Sequence, residues 1–192
     1  TPCTIFTKFL SRMRIISGTL KGRRLVAPKQ LPVRPTTDRA KEALFNILNH
    51  RFLWDEIQTL DLFAGTGNIS YELASRGLHA LTAVDQNKHC VYYMNKTVEA
   101  LDLPIMVIKN SVEKYLEQPT GPYDFIFADP PYAFTEAQLL TLANQIVQDQ
   151  WLTDDGLLVI EHDKHISLNT HAHLEQERTY GSSRFSFFTP SS

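Results

Sequence analysis

Residues 57–68 read IQTLDLFAGTGN. An apolar, β-prone stretch runs to Phe63, two glycines follow at Gly65 and Gly67, and residues 68–76 then have helical composition. A strand, a glycine turn and a helix in that order open a βα unit. Glycine lets the backbone turn tightly and come close to a ligand, and the free amide N–H groups at a helix start favour an anionic group. In open parallel sheets ligands bind beyond the carboxyl ends of the strands, which is where Asp61, Phe63, Ala64, Gly65, Thr66 and Gly67 fall. The spacing Gly65-x-Gly67-x-x-Ser70 lacks the third glycine of the dinucleotide fingerprint. A plain tight turn would use the same two glycines.

The same rhythm continues along the chain. Further strands are expected at 79–84 (HALTAV), 104–109 (PIMVIK), 123–128 (YDFIFA) and 156–162 (GLLVIEH), with helices near 87–101, 111–117 and 136–148 between them. Apolar strands alternating with helices predict a mostly parallel sheet covered on both faces. Segments near 172–180 and 183–188, joined by a turn at Gly181-Ser182, predict a terminal antiparallel pair. The expected fold is therefore α/β: a doubly wound, Rossmann-like, seven-stranded sheet with an antiparallel C-terminal strand pair. Upstream, residues 14–27 read as two short strands around a turn holding Gly18 and Gly22. After Pro28, Pro32 and Pro35, Thr36 or Thr37 can cap a helix running to about Asn49. This forms a small N-terminal hairpin and helix extension.

The chain has 192 residues, 43% of them hydrophobic and 21% charged, which suits one globular domain with an appendage. No uncharged apolar run approaches the roughly 18 residues of a membrane span. Two cysteines, Cys3 and Cys90, are too few for a disulfide framework or a cysteine-rich zinc site, and a cytoplasmic, reducing setting is expected. Charge is divided unevenly. Residues 1–52 carry eleven Lys or Arg against two acids, while the other 140 residues carry eight against nineteen. A basic arm that meets a polyanion, joined to an acidic body, is the implied arrangement; a solvated charged surface would have the same composition. The expected organisation is a disordered tail or upstream remnant at 1–12, with Met13 as a natural start, a basic extension at 13–52, and the main domain at 53–192.

Two further motifs join the glycine turn. Asp85 closes the strand after it, with Gln86 beside it. A carboxylate there can accept hydrogen bonds from both ribose hydroxyls of a nucleoside, or cap a helix beginning near Asn87. Asp129-Pro130-Pro131-Tyr132 follows the strand at 123–128. Two prolines fix the backbone and remove two donors, so the chain leaves the sheet as a stiff loop. That loop presents a carboxylate, a carbonyl and an aromatic ring, a trio suited to a planar base with an exocyclic amine: the ring stacks on the base and the two oxygens accept the amine hydrogens.

At these residues the chain resembles a known family. Asp61 through Gly67 and Asp129-Pro130-Pro131-Tyr132 are similar to the first and fourth motifs of class I S-adenosylmethionine-dependent amino-methyltransferases. Arg14-Ile15-Ile16-Ser17-Gly18, Lys21-Gly22-Arg23-Arg24-Leu25, Arg34-Pro35-Thr36-Thr37-Asp38-Arg39 and residues 42–48 (EALFNIL) resemble the N-terminal signature of the bacterial RsmD type. The resemblance is collinear over residues 13–190. It implies methyl transfer from S-adenosylmethionine to the N2 amine of a guanine in 16S ribosomal RNA, naked or within a small subunit, by a monomer. It also implies that Asp61, Gly65 and Gly67 line the methionine moiety, that Asp85 binds the ribose, and that Asn110, Ser111 and Val112 approach the adenine. Ser111 stands where the family has an acidic residue. Arg34, Thr36, Thr37 and Arg39 would close over the site and meet the RNA, joined by the basic Arg14, Lys21, Arg23 and Arg24.

A sulfonium methyl is already electrophilic, so the chemistry calls for no metal. Asp129 and the Pro130 carbonyl would make the amine lone pair available, and Tyr132 would hold the base plane. The base must be unstacked to enter, which favours an RNA loop. Three alternatives use some of the same residues: a DNA adenine-N6 methyltransferase, a nicotinamide oxidoreductase, and a non-enzymatic RNA-binding module. Other residues read as structural. Glu161 and His162 suggest a structural hydrogen bond. Trp54, Trp151 and Cys90 suggest packing, and His165, His171 and His173 lack metal spacing.

Overall fold

The computed structural model describes residues 10–28, 36–118 and 120–190. A two-stranded hairpin comes first, β1 (Leu10–Arg14) and β2 (Arg24–Pro28), then α1 (Asp38–Leu48). The alternating body follows: β3 (Gln58–Leu62), α2 (Asn68–Ser75), β4 (Ala80–Asp85), α3 (Lys88–Leu101), β5 (Ile105–Lys109), α4 (Val112–Tyr115), β6 (Tyr123–Ala128), α5 (Glu136–Gln148) and β7 (Leu152–Asp163). The hairpin β8 (Leu174–Tyr180) and β9 (Ser183–Phe188) ends it. The large sheet has seven strands in the order β5-β4-β3-β6-β7-β9-β8. β3, β4, β5, β6 and β7 are parallel, and β9 runs antiparallel to both β7 and β8.

Central strands are buried on both faces, and their two-residue period sorts the core. Phe125, Phe127, Val159 and Phe185 face one layer with α1, α2 and α3, where Leu44, Leu73 and Met94 lie. Leu60, Leu62, Ile126 and Ile160 face the other, against Leu139, Ala143 and Ile146 of α5. Trp54 belongs to the first layer and Trp151 to the second.

Three boundaries differ from the sequence reading. β1 begins at Leu10, inside the stretch 1–12 read as tail, because Leu10 to Arg12 continue the ladder of Met13 and Arg14 along β2 to Pro28. α4 is a single turn rather than 111–117, since Gln118-Pro119 and Gly121-Pro122 leave the chain no helical continuation. β7 starts at Leu152 rather than 156. Its polar opening pairs Leu152 with Tyr123 across a register shift, and a bulge of that kind hides the alternation.

The extension is clamped to α2. Ile16 and Ser17 donate their N–H groups to the two carboxylate oxygens of Glu72, at 2.8 and 3.0 Å. Thr19 N–H donates to the Ser75 carbonyl (2.7 Å), Leu20 N–H to the Ser75 hydroxyl (2.9 Å), and that hydroxyl to the Ser17 carbonyl (2.6 Å). Gly18 sits at φ +83° where a Cβ would lie 1.7 Å from the Ser75 carbonyl oxygen, so only glycine allows this approach. The fully buried Lys41 of α1 adds Nζ contacts to Glu72 (3.2 Å), the Arg14 carbonyl (2.7 Å) and Asn68 Oδ1 (3.0 Å).

Candidate active site

β3 is where strand order reverses: β4 lies on one side of it and β6 on the other. Ligands favour such a switch point, and backbone bonds fix the strand ends around it. Asp129 N–H donates to the Leu62 carbonyl (3.2 Å), Ala64 N–H to the Val84 carbonyl (3.0 Å), and Asn110 N–H to the Asp85 carbonyl (3.2 Å). A cavity of about 490 Å³ opens there. Of the sequence-predicted residues it gathers Asp61, Phe63, Ala64, Gly65, Thr66, Asp85, Gln86 and Val112, together with Asp129, Pro130, Pro131 and Tyr132.

Three predicted residues do not line it, Asn110 among them. Gly67 shapes the turn instead: at φ +84° it begins α2, and a Cβ there would lie 2.7 Å from the Tyr71 ring. Ser111 caps α4, its hydroxyl accepting from Lys114 N–H at 3.3 Å. Thr36, Asn68, Cys90 and Glu113 line the cavity without having been predicted as part of the cofactor site. Asn68, directly after Gly67 at a helix start, carried a positional signal. Thr36, which the resemblance places closing over the site, does reach it, and its partner Glu161, 125 residues away, carried no such signal.

The glycine turn and Asp85 brace one another. Asp85 accepts from Gly65 N–H (2.8 Å) and from Asn87 N–H (2.7 Å), while the cap of α3 is the Asn87 side chain. Asp61 accepts from the Ser70 hydroxyl of α2. Burial pushes its carboxyl up to about 7; the Ser70 hydrogen bond opposes this and the Asp85 charge reinforces it. Burial likewise pushes the Cys90 thiol up to about 11, so it packs as a neutral group. Of the other lining residues, Asp129 is half-buried, Pro130 is buried and Tyr132 is 38% exposed. The Tyr132 hydroxyl lies 3.2 Å from the Ser183 hydroxyl of β9.

The predicted RNA-facing set divides. Lys21, Arg23, Arg24 and Arg39 are exposed. Arg14 is exposed and paired with Asp38 at 3.0 Å. Thr37 caps α1 by accepting from Ala40 N–H. Thr36 is buried and donates to Glu161 at 2.6 Å. Arg34 lies outside the described residues. His162 also makes a structural contact, its Nε2 2.7 Å from the Ser186 hydroxyl.

A buried carboxylate that titrates near neutrality suits a ligand that brings its own positive charge, and three aspartates line this cavity with apolar Phe63 and Val112 between them. An ammonium and a sulfonium on a nucleoside fit that donor set. A parallel sheet closed by a reversed hairpin, with such a cavity at its switch point, is the architecture of S-adenosylmethionine-dependent methyltransferases, and the chain is one of them. Residues 13–189 match the family described as conserved hypothetical protein 95, and the chain belongs to it, the family of RsmD-type methyltransferases. Bacillus subtilis YlbH, provisionally named an rRNA methyltransferase, is 38% identical over 162 residues, 81% of this chain and 85% of that protein. Escherichia coli K12 ribosomal RNA small subunit methyltransferase D is 31% identical over 160 residues, 83% of this chain and 79% of its own. A solved structure of a hypothetical protein of Thermus thermophilus superposes with a TM-score of 0.80 at 27% identity, covering 92% of this chain and 99% of that one.

Proposed function

We propose that this protein methylates the exocyclic N2 amine of a guanine in 16S ribosomal RNA. The observation that carries the reading is that Asp129, Pro130 and Tyr132 line the same cavity as Asp61 and Asp85, so an amine-gripping corner faces a site for a cationic nucleoside. S-adenosylmethionine, when bound, supplies an electrophilic methyl group on its sulfonium. In this reading Asp61 and the turn Gly65–Gly67 hold the methionine portion and Asp85 the ribose, while Gln86 and Val112 border the base with Ser111 just behind. Asp129 and the Pro130 carbonyl accept the two guanine amine hydrogens. This disfavours delocalisation of the nitrogen lone pair into the ring and favours a pyramidal nucleophile. Tyr132 holds the base plane, and Asp129 can receive the proton shed once the amine is substituted.

Exposed Lys21, Arg23, Arg24 and Arg39 contact phosphates on this reading, and the extension from residue 13 to 52 serves as the RNA-binding unit of the catalytic domain. Among the described residues no helix is long and apolar enough to cross a membrane. In this reading the protein acts in the cytoplasm as a monomer, on 16S rRNA that is naked or within a partly or fully assembled small subunit; the basic extension and the names of the relatives support the RNA substrate. The test is methyl transfer from labelled S-adenosylmethionine to a 16S rRNA transcript, to isolated small subunits and to double-stranded DNA, followed by nucleoside analysis. N2-methylguanosine from an RNA substrate is expected. N6-methyladenine from DNA, or no transfer to any of the three, would overturn it.

A further inference from the structure

Asn68 is the first residue of α2, directly after the glycine turn, and it lines the cavity. Its amide does two other things at once. Nδ2 donates to the Thr36 carbonyl at 3.0 Å, and Oδ1 accepts from the Lys41 ammonium at 3.0 Å. Thr36 and Thr37 open α1, and Lys41 lies one turn further on, so this one side chain holds the start of α1 at two points. Thr36 also lines the cavity and is anchored on its other side to Glu161, near the end of β7. Lys41 bonds the Arg14 carbonyl at the end of β1. The polar chain thus runs from the basic hairpin through Lys41, Asn68 and Thr36 to the central sheet, passing the cavity wall at two residues.

We propose that Asn68 is a positioning residue that couples RNA binding on the N-terminal extension to occupancy of the cofactor cavity. This rests on the proposed RNA-methyltransferase reading. Phosphate contacts at Arg39 or on the hairpin load α1 and β1. Both are tied to the glycine turn through the Asn68 amide, so ordering one end of the chain orders the other. Coupling of this kind is reciprocal: RNA tightens cofactor binding by the same factor by which cofactor tightens RNA binding. Removing the Asn68 amide breaks both bonds to the start of α1 and, with them, the transmission.

The experiment measures S-adenosylhomocysteine affinity by calorimetry, with and without saturating 16S rRNA transcript, in the wild type, Asn68→Ala and Asn68→Asp. Asp keeps an acceptor for Lys41 and loses the donor to Thr36. The wild-type dissociation constant should fall about fivefold or more when RNA is present, the usual lower range of such couplings. In both variants the ratio should drop below about twofold, whatever their affinity without RNA. Since the readout is a ratio, a general weakening of the site does not imitate it. RNA bound by the wild type with no change in cofactor affinity would overturn the coupling and leave the methyltransferase reading standing. Undiminished coupling in both variants would remove Asn68 from it. No RNA binding by the wild type would sink the coupling together with the RNA reading beneath it.

Discussion

Lys41 and Glu72 face each other at 3.2 Å with side-chain exposures of 1% and 0%, and their pairing joins the N-terminal extension to the helix that follows the glycine turn. The two are not equally dependent on one another. Glu72 also receives Arg76 at 2.9 Å and the N–H groups of Ile16 and Ser17, so it stays satisfied without Lys41. Glu72→Ala strands a buried ammonium and two backbone donors, and removing one member of a buried pair costs about 3–5 kcal/mol. Glu72→Ala should therefore lower the melting temperature by on the order of 10 °C, and Lys41→Met by distinctly less. Thermal melts of both variants check the ranking; a larger loss for Lys41→Met would show that the hairpin does not depend on the carboxylate.

Much of this architecture is legible in the sequence because the signals are local. Strand, glycine turn and helix at 57–76 are neighbours in the chain, and the apolar runs of β3 and β6 announce strands covered on both faces. Asp61, Asp85 and Asp129 each follow from their place at a strand end. What stayed hidden depends on partners distant in sequence. Glu72 reads as one polar residue on an amphipathic helix until the hairpin 55 residues upstream lays its N–H groups on it, and Thr36 reads as a cap until Glu161 reaches it. The bulged start of β7 has another reason: residues 153–156 (TDDG) have turn composition and fall in the register shift between the Leu152–Tyr123 and Leu157–Phe125 pairs of β7 with β6.

Asp61 should make both stability and cofactor affinity depend on pH. In the folded chain its carboxyl titrates near 7, above the ordinary value of 3.8. Between about pH 4 and 7 the folded state thus holds a proton that the unfolded chain has released, and stability falls as pH rises through that window and levels off above it. A ligand ammonium beside Asp61 favours the ionised form, and S-adenosylhomocysteine keeps that ammonium, so its affinity should climb from pH 5.5 to 7 with release of a proton. Asp61→Asn should melt higher than wild type at pH 8, bind cofactor at least tenfold more weakly and lose the slope. Calorimetry in two buffers of different ionisation enthalpy measures the proton, and a flat wild-type profile would contradict the assignment.

At the acceptor wall the carboxylate and the ring should separate in kinetics. On the proposed reading Asp129→Ala removes an acceptor from the amine, so turnover should fall at least a thousandfold while S-adenosylhomocysteine affinity changes less than about threefold. Equal losses in both would make Asp129 a scaffold residue. Tyr132→Phe keeps the ring and gives up the hydroxyl contact with Ser183, and should retain activity within about fivefold. Tyr132→Ala removes the ring proposed to stack on the base, a contact worth about 1–3 kcal/mol per base, and should cost ten- to a hundredfold in kcat/KM for RNA. Similar losses in Phe and Ala variants would shift the role from the ring to the hydroxyl.

Gly18 offers a test of whether hairpin placement matters for RNA. Alanine there meets the Ser75 carbonyl at an impossible distance and must also adopt φ near +83°, so Gly18→Ala should release the hairpin from α2. RNA affinity should drop at least tenfold, with the isolated body still binding S-adenosylhomocysteine. Gly22, also at positive φ but with nothing near its would-be Cβ, is the control: Gly22→Ala carries only the backbone strain and should weaken RNA binding far less. Equal losses in the two variants would assign the effect to backbone strain rather than docking.

Finally, the exposed charges of the hairpin should register as counterion release. Each phosphate neutralised on single-stranded nucleic acid contributes about 0.7 to the slope of log affinity against log salt. Replacing Lys21, Arg23 and Arg24 together by alanine should therefore reduce the magnitude of that slope by about 2 and weaken binding most at low salt. These side chains are exposed and absent from the cavity wall, so cofactor affinity in the absence of RNA should stay as it is. Filter-binding titrations of a 16S rRNA transcript from 50 to 300 mM salt give the slope. An unchanged slope in the triple variant would place the phosphate contacts elsewhere, with Arg39 the next residue to replace, and would turn the uneven charge of the chain back into an ordinary solvated surface.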